Sequence, residues 1–261
     1  MTPIKQQWAA GDTTLGAWLA IPNPVLAEAT ARTGFDYVCI DTQHGAVEYS
    51  DAVPMIQGIL LGGSSPIVRV PWNEPGIIGK MLDAGAHGVI IPMVNTVAEA
   101  EAASRACRYA LHGGARSYGP TTTAMRIDEP YVPWAAENVA CIPMIETTTA
   151  LENLDDILAV DGIDAVYVGP ADLSLTLGLP PGNNDDDASF AEALATIVDG
   201  CRRAGVVAGI HGSGALTPKR LAQGFGMVTV TTDIVAARVG YAAELELARS
   251  GDTDGEGGDL Y

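Results

Sequence analysis

Eight short apolar runs, each followed by a stretch of helical spacing, constrain this chain more than any other feature. The runs lie at 14–21, 35–40, 66–70, 88–92, 139–145, 164–168, 206–210 and 227–230. The helical stretches lie at 25–32, 50–61, 77–84, 98–109, 151–158, 190–204, 218–223 and 234–249. Strands joined by helical crossovers pair in parallel and are covered on both faces, so they read as continuous apolar runs. Eight such units in 261 residues predict one (β/α)₈ TIM barrel over residues 1–249 as a single domain. An open doubly wound sheet competes, but it commonly carries a Gly-rich first turn, and none follows the first run here. The stretch 111–137 has no period and is expected to be irregular. The Gly-rich end, 250–261, carries Asp252, Asp254, Glu256 and Asp259 and reads as a disordered acidic tail.

In a barrel, the residues just past each strand converge on one rim. Here they include Asp41, His44, Arg69, Glu146 and Asp172. Glu146 and Asp172 follow two consecutive strands, and neighbouring parallel strands lie ~4.8 Å apart. Both carboxylates therefore emerge close enough to share one ion. Hard oxygens without a nearby His or Cys suit Mg²⁺ or Mn²⁺ rather than Zn²⁺. Two acids on surface loops are the plain alternative.

Lysine is informative by its scarcity. Lys5, Lys80 and Lys219 are the only ones, and none ends a predicted strand. The pattern points away from Schiff-base chemistry and towards a divalent ion as the electron sink. Arg69 is permanently cationic and can steady a developing oxyanion. His44 keeps company with acids at a strand end and can move a proton near neutral pH. His211 also ends a strand, and is read either as a pocket residue or as a packed one. His87 precedes its strand and belongs to the opposite face.

The formal net charge of −18, with 14 basic against 32 acidic residues, excludes the basic face a nucleic-acid partner needs. No apolar run reaches the ~20 residues of a membrane span, and no signal peptide opens the chain. Cys39, Cys107, Cys141 and Cys201 have no metal or redox spacing and read as buried reduced thiols, consistent with a cytoplasmic protein.

Several segments together resemble the HpcH/HpaI aldolases, the class II pyruvate aldolases that include sugar-acid aldolases. They are Gly16-Ala17-Trp18-Leu19, Asp41-Thr42-Gln43-His44, Val68-Arg69-Val70-Pro71-Trp72-Asn73, Met81-Leu82-Asp83-Ala84-Gly85, Pro92-Met93-Val94, Arg116-Ser117-Tyr118-Gly119-Pro120, Ile145-Glu146-Thr147 and Gly169-Pro170-Ala171-Asp172-Leu173-Ser174. The likeness runs from about Thr14 to Arg249. It implies a TIM barrel in a homohexamer, with the last helix swapped onto a neighbour. It implies 2-oxo acid and aldehyde substrates and a divalent ion (Mg²⁺, Mn²⁺ or Co²⁺) on Glu146 and Asp172. The backbone at Gly169, Pro170 and Ala171 would receive the pyruvate carboxylate. His44 would be the base, Arg69 would stabilise the enolate, Trp18 would line the pocket and Arg116 would approach the aldehyde end.

Asp83 matches an acid that tunes the histidine, yet it ends a helix whose last turn belongs at the far face of the same barrel. Either Asp83 serves a neighbouring chain's site or Asp41 is the nearer partner of His44. The chain also departs from the pattern. Met144 stands where relatives with dicarboxylate products carry Gln, and Thr42-Gln43-His44 replaces Gly-Glu-His. The segment before Arg116 lacks a Pro-Pro pair. These changes concern the aldehyde rather than the ion. A lyase of CoA thioesters on a related barrel is the rival enzyme reading, and few basic residues are present to hold its phosphates. A non-catalytic scaffold is the rival of another class.

Overall fold

The computed structural model describes residues 2–250. It begins with α1 (Ile4–Ala9), then runs β1 (Thr14–Leu19), α2 (Pro24–Arg32), β2 (Tyr37–Asp41), α3 (Tyr49–Gly62), β3 (Ser65–Arg69), α4 (Pro75–Ala84), β4 (Gly88–Ile91) and α5 (Val97–Cys107). It continues with α6 (Tyr131–Asn138), β5 (Ala140–Pro143), α7 (Thr148–Glu152), α8 (Leu154–Leu158), β6 (Ala165–Val168), α9 (Pro170–Thr176) and α10 (Ala188–Ala204). The last elements are β7 (Val207–His211), α11 (Thr217–Gln223), β8 (Met227–Thr232) and α12 (Asp233–Ser250).

All strand pairs are parallel, in the order β5-β4-β3-β2-β1-β8-β7-β6. The seam between β5 and β6 is closed by a bridge between Met144 and Tyr167, with the Ile145 N–H donating to the Tyr167 carbonyl at 2.9 Å. This is the expected (β/α)₈ barrel. Alternate strand residues face inward. Trp18, Tyr37, Cys39, Ile67, Ile90, Ala140, Ile142, Met144, Ala165, Tyr167 and Met227 fill the interior, and Ile4 of α1 plugs the end where the strands begin. The outward residues, such as Val38, Val68 and Val166, join the helices in a larger outer core. Inside, the Tyr37 and Tyr167 hydroxyls meet Thr229 Oγ1 at 3.0 and 2.5 Å, which satisfies three polar groups that burial would otherwise strand. Gly16 makes room for this layer: a Cβ there would sit 2.2 Å from the Tyr37 ring.

The differences from the sequence reading are local. Helices α1, α6 and α9 were not expected. Pro170 at the first position of α9 has the φ a helix needs and no N–H to leave unpaired, so it starts the helix that carries Asp172. The expected helix over 151–158 is two short ones, because Asn153 turns out of the spiral and donates its side-chain N–H to the Asn95 and Thr149 carbonyls. All four cysteines are free and buried. Among the described residues, no helix is long and apolar enough to cross a membrane. The predicted acidic tail lies outside the described residues, apart from Ser250 at the end of α12.

Candidate active site

Four strand ends build the site. Asp41 closes β2 and Arg69 closes β3, and the two are register partners. Their side chains form a two-point ion pair: Arg69 Nε donates to Oδ1 at 2.9 Å and Nη2 to Oδ2 at 2.6 Å. Asp41 also accepts the Trp18 indole N–H at 3.2 Å and the backbone N–H groups of Gln43 and His44 at 3.1 and 3.2 Å. Burial pushes the Asp41 carboxyl up, but the hydrogen bonds and charge of Arg69 outweigh it and leave it below its ordinary value. The Arg69 guanidinium lies 4.9 Å from the Trp18 ring, which in turn stacks on Tyr167. Asp41 is thus the anchor of Arg69 and of the turn bearing His44; it does not touch the His44 imidazole. That imidazole is exposed and has no hydrogen-bond partner among the described residues.

Glu146 sits above the end of β5 and is 2 % exposed, so it is no surface-loop acid. Its Oε1 accepts the Met93 backbone N–H at 2.8 Å. Met93 follows β4 with φ at 57°, the one positive value outside glycine among the described residues. That left-handed turn aims the N–H at Glu146, at a steric cost of about 1–2 kcal/mol. Burial drives the Glu146 carboxyl up to about 7; the Met93 N–H opposes this, Asp172's charge adds to it and Arg69 opposes it. Asp172, in the first turn of α9, is partly exposed and has no side-chain partner among the described residues.

The pair fits a divalent cation. Oε2 of Glu146 is left without a protein donor, and Gly169 keeps its surroundings open: a Cβ at 169 would lie 2.4 Å from that oxygen. Two carboxylates repelling each other in a buried setting gain from a shared cation. Glu146 and Asp172 are the two carboxylates that would hold such an ion. The three lysines are engaged elsewhere: Lys5 with Asp164 at 2.7 Å, Lys80 4.2 Å from the Tyr49 ring, and Lys219 with Asp185 at 3.1 Å.

Three of the expected site residues stand back from the open rim. Trp18 is 4 % exposed; it backs Asp41 and Arg69 rather than forming an open wall. Asp83 and Arg116 pair with each other at 2.6 Å, and Arg116 also donates to the Tyr131 hydroxyl and lies 4.7 Å from the Tyr109 ring. Asp83 closes α4 just before β4 begins, so this cluster belongs to the end of the barrel opposite the rim. Neither residue reaches His44, Glu146 or Asp172 within the chain. The pocket residue missed by sequence was Met93, whose φ leaves no sequence trace; of the two readings open for His211, its place in the inward alternation Val207, Gly209, His211 favours the pocket.

Comparisons with known proteins show what the chain is similar to. The family described as HpcH/HpaI aldolase/citrate lyase matches residues 14–237. A hydroxypyruvate/pyruvate aldolase of Rhizorhabdus wittichii is 42% identical over 235 residues, which cover 90% of this chain and 93% of that protein. A 2-keto-3-deoxy-L-rhamnonate aldolase of Salmonella gallinarum is 36% identical, covering 88% of this chain and 87% of that one. An HpcH/HpaI aldolase/citrate lyase family protein from Burkholderia cenocepacia superposes with a TM-score of 0.86 at 28% identity, covering 94% of this chain and 98% of that structure.

Proposed function

The chain belongs to the HpcH/HpaI aldolase/citrate lyase family, and from that premise we propose that it is a divalent-metal-dependent class II aldolase. It reversibly cleaves 4-hydroxy-2-oxo acids into pyruvate or hydroxypyruvate and an aldehyde. The observation that carries this reading is the buried Glu146 beside Asp172, with one carboxylate oxygen fixed by the Met93 N–H and the other left open by Gly169.

Glu146 and Asp172 are the residues that would hold Mg²⁺, Mn²⁺ or Co²⁺. When bound, the ion supplies electrophilic stabilisation of the charge that the 2-oxo group takes up. The protein does the rest. The turn from Gly169 through Pro170 and Ala171 opens α9, and the first N–H groups of a helix have no partner within it, so they receive the substrate carboxylate. Arg69, with Nε and Nη2 committed to Asp41, has N–H groups left on Nη1 for the oxygen that gains charge. Trp18 and Asp41 hold that guanidinium in one orientation. His44, on the turn fastened by Asp41, takes the proton of the 4-hydroxyl in cleavage, and its exposure gives the acceptor end access to solvent.

The reading extends to a homo-oligomer, a hexamer by the family resemblance, in the cytoplasm. Two features support this. Only Asp233 of α12 is buried, where it accepts the Ala20 and Ile21 N–H groups, while Ile234, Val235, Val239, Tyr241, Leu245 and Leu247 are exposed along the helix. An apolar helix of this kind gains by docking on a neighbour. In such an assembly the Asp83–Arg116 pair, remote from its own rim, would serve a neighbour's His44 and aldehyde. Four free cysteines accord with a reducing compartment.

The test is aldol cleavage assayed after chelation and after restoring each ion, with borohydride trapping in parallel. Activity restored by a divalent ion and no covalent trapping on lysine is the expected result. Full activity without the ion, or a trapped lysine, would overturn the reading.

A further inference from the structure

His211 takes no part in the machinery described above, yet it stands at the mouth of the barrel. It is the last residue of β7, register partner of Thr229, and the third inward position after Val207 and Gly209. Val207 packs on the interior cluster, and a Cβ at Gly209 would lie 2.8 Å from the Tyr167 ring, which fixes that face as the inner one. The imidazole meets the Trp18 ring edge-on, with centroids 5.2 Å apart at 84°. It is partly buried and lies within reach of the charges of Arg69 and Asp41.

The polar groups around it are otherwise engaged. On β8, Thr229 meets Tyr37 and Tyr167, Thr231 donates to the Thr232 carbonyl, and Thr232 accepts from the Val235 N–H. On β1, the Trp18 N–H is committed to Asp41. His211 alone has no side-chain hydrogen-bond partner among the described residues of β7, β8 and β1. Neither of its ring nitrogens is among the fully buried side-chain atoms that lack a partner, so each keeps some contact with solvent. Burial first, and then the charge of Arg69, push the imidazole down to about 4, so at neutral pH one ring nitrogen donates and the other accepts.

The rest of the mouth decides what meets it. The ends of β5 and β6 take the ion and the substrate carboxylate, and β3 supplies Arg69 to the 2-oxo oxygen. The third carbon of the donor is left to the arc made by β7, β8 and β1. We propose that His211 is a donor-specificity residue, whose imidazole hydrogen-bonds a hydroxyl on C3 of the 2-oxo acid, so that the site favours a 3-hydroxy-2-oxo acid over one ending in a plain methyl. This rests on the aldolase reading given above. A site that hydrogen-bonds a substrate hydroxyl discriminates against the analogue lacking it, because its own polar group is then left unpaired.

The experiment measures kcat/KM for aldol addition to one aldehyde with hydroxypyruvate and with pyruvate, at saturating Mg²⁺. Wild type is compared with His211→Leu, which removes both nitrogens, and His211→Asn, which keeps a donor and an acceptor on a shorter arm. In His211→Leu, kcat/KM for hydroxypyruvate falls roughly 10–100-fold while that for pyruvate stays within about threefold of wild type. His211→Asn recovers part of the ratio. Pyruvate turnover reports an intact fold, which a variant that failed to fold would lose. An equal fall with both donors, or an unchanged ratio, overturns the proposal. A wild type inactive with both donors at every metal concentration overturns the aldolase reading instead, and shows before any variant is made.

Discussion

Asp41 and Arg69 end adjacent strands in register and grip each other through two hydrogen bonds, at 2.9 and 2.6 Å, with side chains 5% and 12% exposed. Such a pair is poor evidence of stability in itself, since both ions lose water, but breaking it strands a buried charge. Its value here is orientation: it fixes a fork-shaped donor at the mouth and fastens the turn that carries His44.

Asp41→Asn should therefore destabilise the protein by about 3 kcal/mol, the scale for one lost partner of a buried pair. Arg69→Met in the same background should recover part of that. Arg69→Lys should cost roughly 10²–10³ in kcat, because a point charge cannot reproduce the fork. Urea midpoints and kcat values check both statements. A double variant no more stable than Asp41→Asn would mean that the stranded charge is not the cause.

Glu146 gives a pH prediction. Its folded value of about 7 lies above the ordinary 4.5, so between those limits the metal-free native state holds a proton that the unfolded chain has lost. Stability relative to a Glu146→Gln variant is then highest below pH 4.5 and declines as pH rises, fully by about pH 7. The difference amounts to something on the order of 3 kcal/mol. Denaturation of both proteins, freed of metal, at pH 5 and pH 8 reads it directly. A stability difference that does not move between those two values would show that Glu146 titrates normally. Added Mg²⁺ should reverse the trend, since the ion binds the ionised pair and its affinity falls where protons compete.

Gly169→Ala tests the space beside that carboxylate. The new methyl would lie 2.4 Å from Glu146 Oε2 and 2.9 Å from Met144 Cε, both closer than atoms pack. Glu146 has to turn away. Metal affinity should drop at least tenfold while the metal-free protein keeps its unfolding midpoint within a few degrees, because the thioether and the carboxylate can shift without moving the strands. Calorimetric titration with Mn²⁺ measures the first and thermal unfolding the second. Unchanged affinity would remove Oε2 from the ion's ligands.

Much of this was legible in the sequence because strand ends are legible. Glu146 and Asp172 follow short apolar runs that are strands in the structure, and parallel strands deliver their ends to one rim. What escaped depends on geometry that sequence does not encode locally. The φ of Met93 is imposed by its surroundings. The break at Asn153 is made by a hydrogen bond to the distant Asn95 carbonyl. Pro130 and Pro133 masked α6, although a proline within the first turn leaves the helix intact. The Asp83–Arg116 contact joins α4 to a stretch without period, so only tertiary packing brings it about. Even so, the far-face position expected for Asp83 from its place at the end of a helix is the position it has.

The roles of His44 and Glu146 are separable, one in proton transfer and one in holding the ion. At saturating Mg²⁺ a loss of rate without a loss of metal affinity reports on the chemistry rather than on the ion's site. If His44 is the base, His44→Ala should then lower aldol cleavage and proton exchange at C3 of pyruvate by roughly 10²–10⁴-fold. Arg69→Lys should lower aldol cleavage too, since a point charge cannot reproduce the fork. Stability should hardly change, since the imidazole is exposed and unpartnered while the turn is held by the His44 backbone N–H to Asp41. Metal affinity should also hold, because His44 is not among the proposed ligands. A His44→Ala protein that keeps its exchange rate would assign the proton to another group. Asp41 would be a poor replacement, with its oxygens already taken by Arg69, Trp18 and two backbone N–H groups.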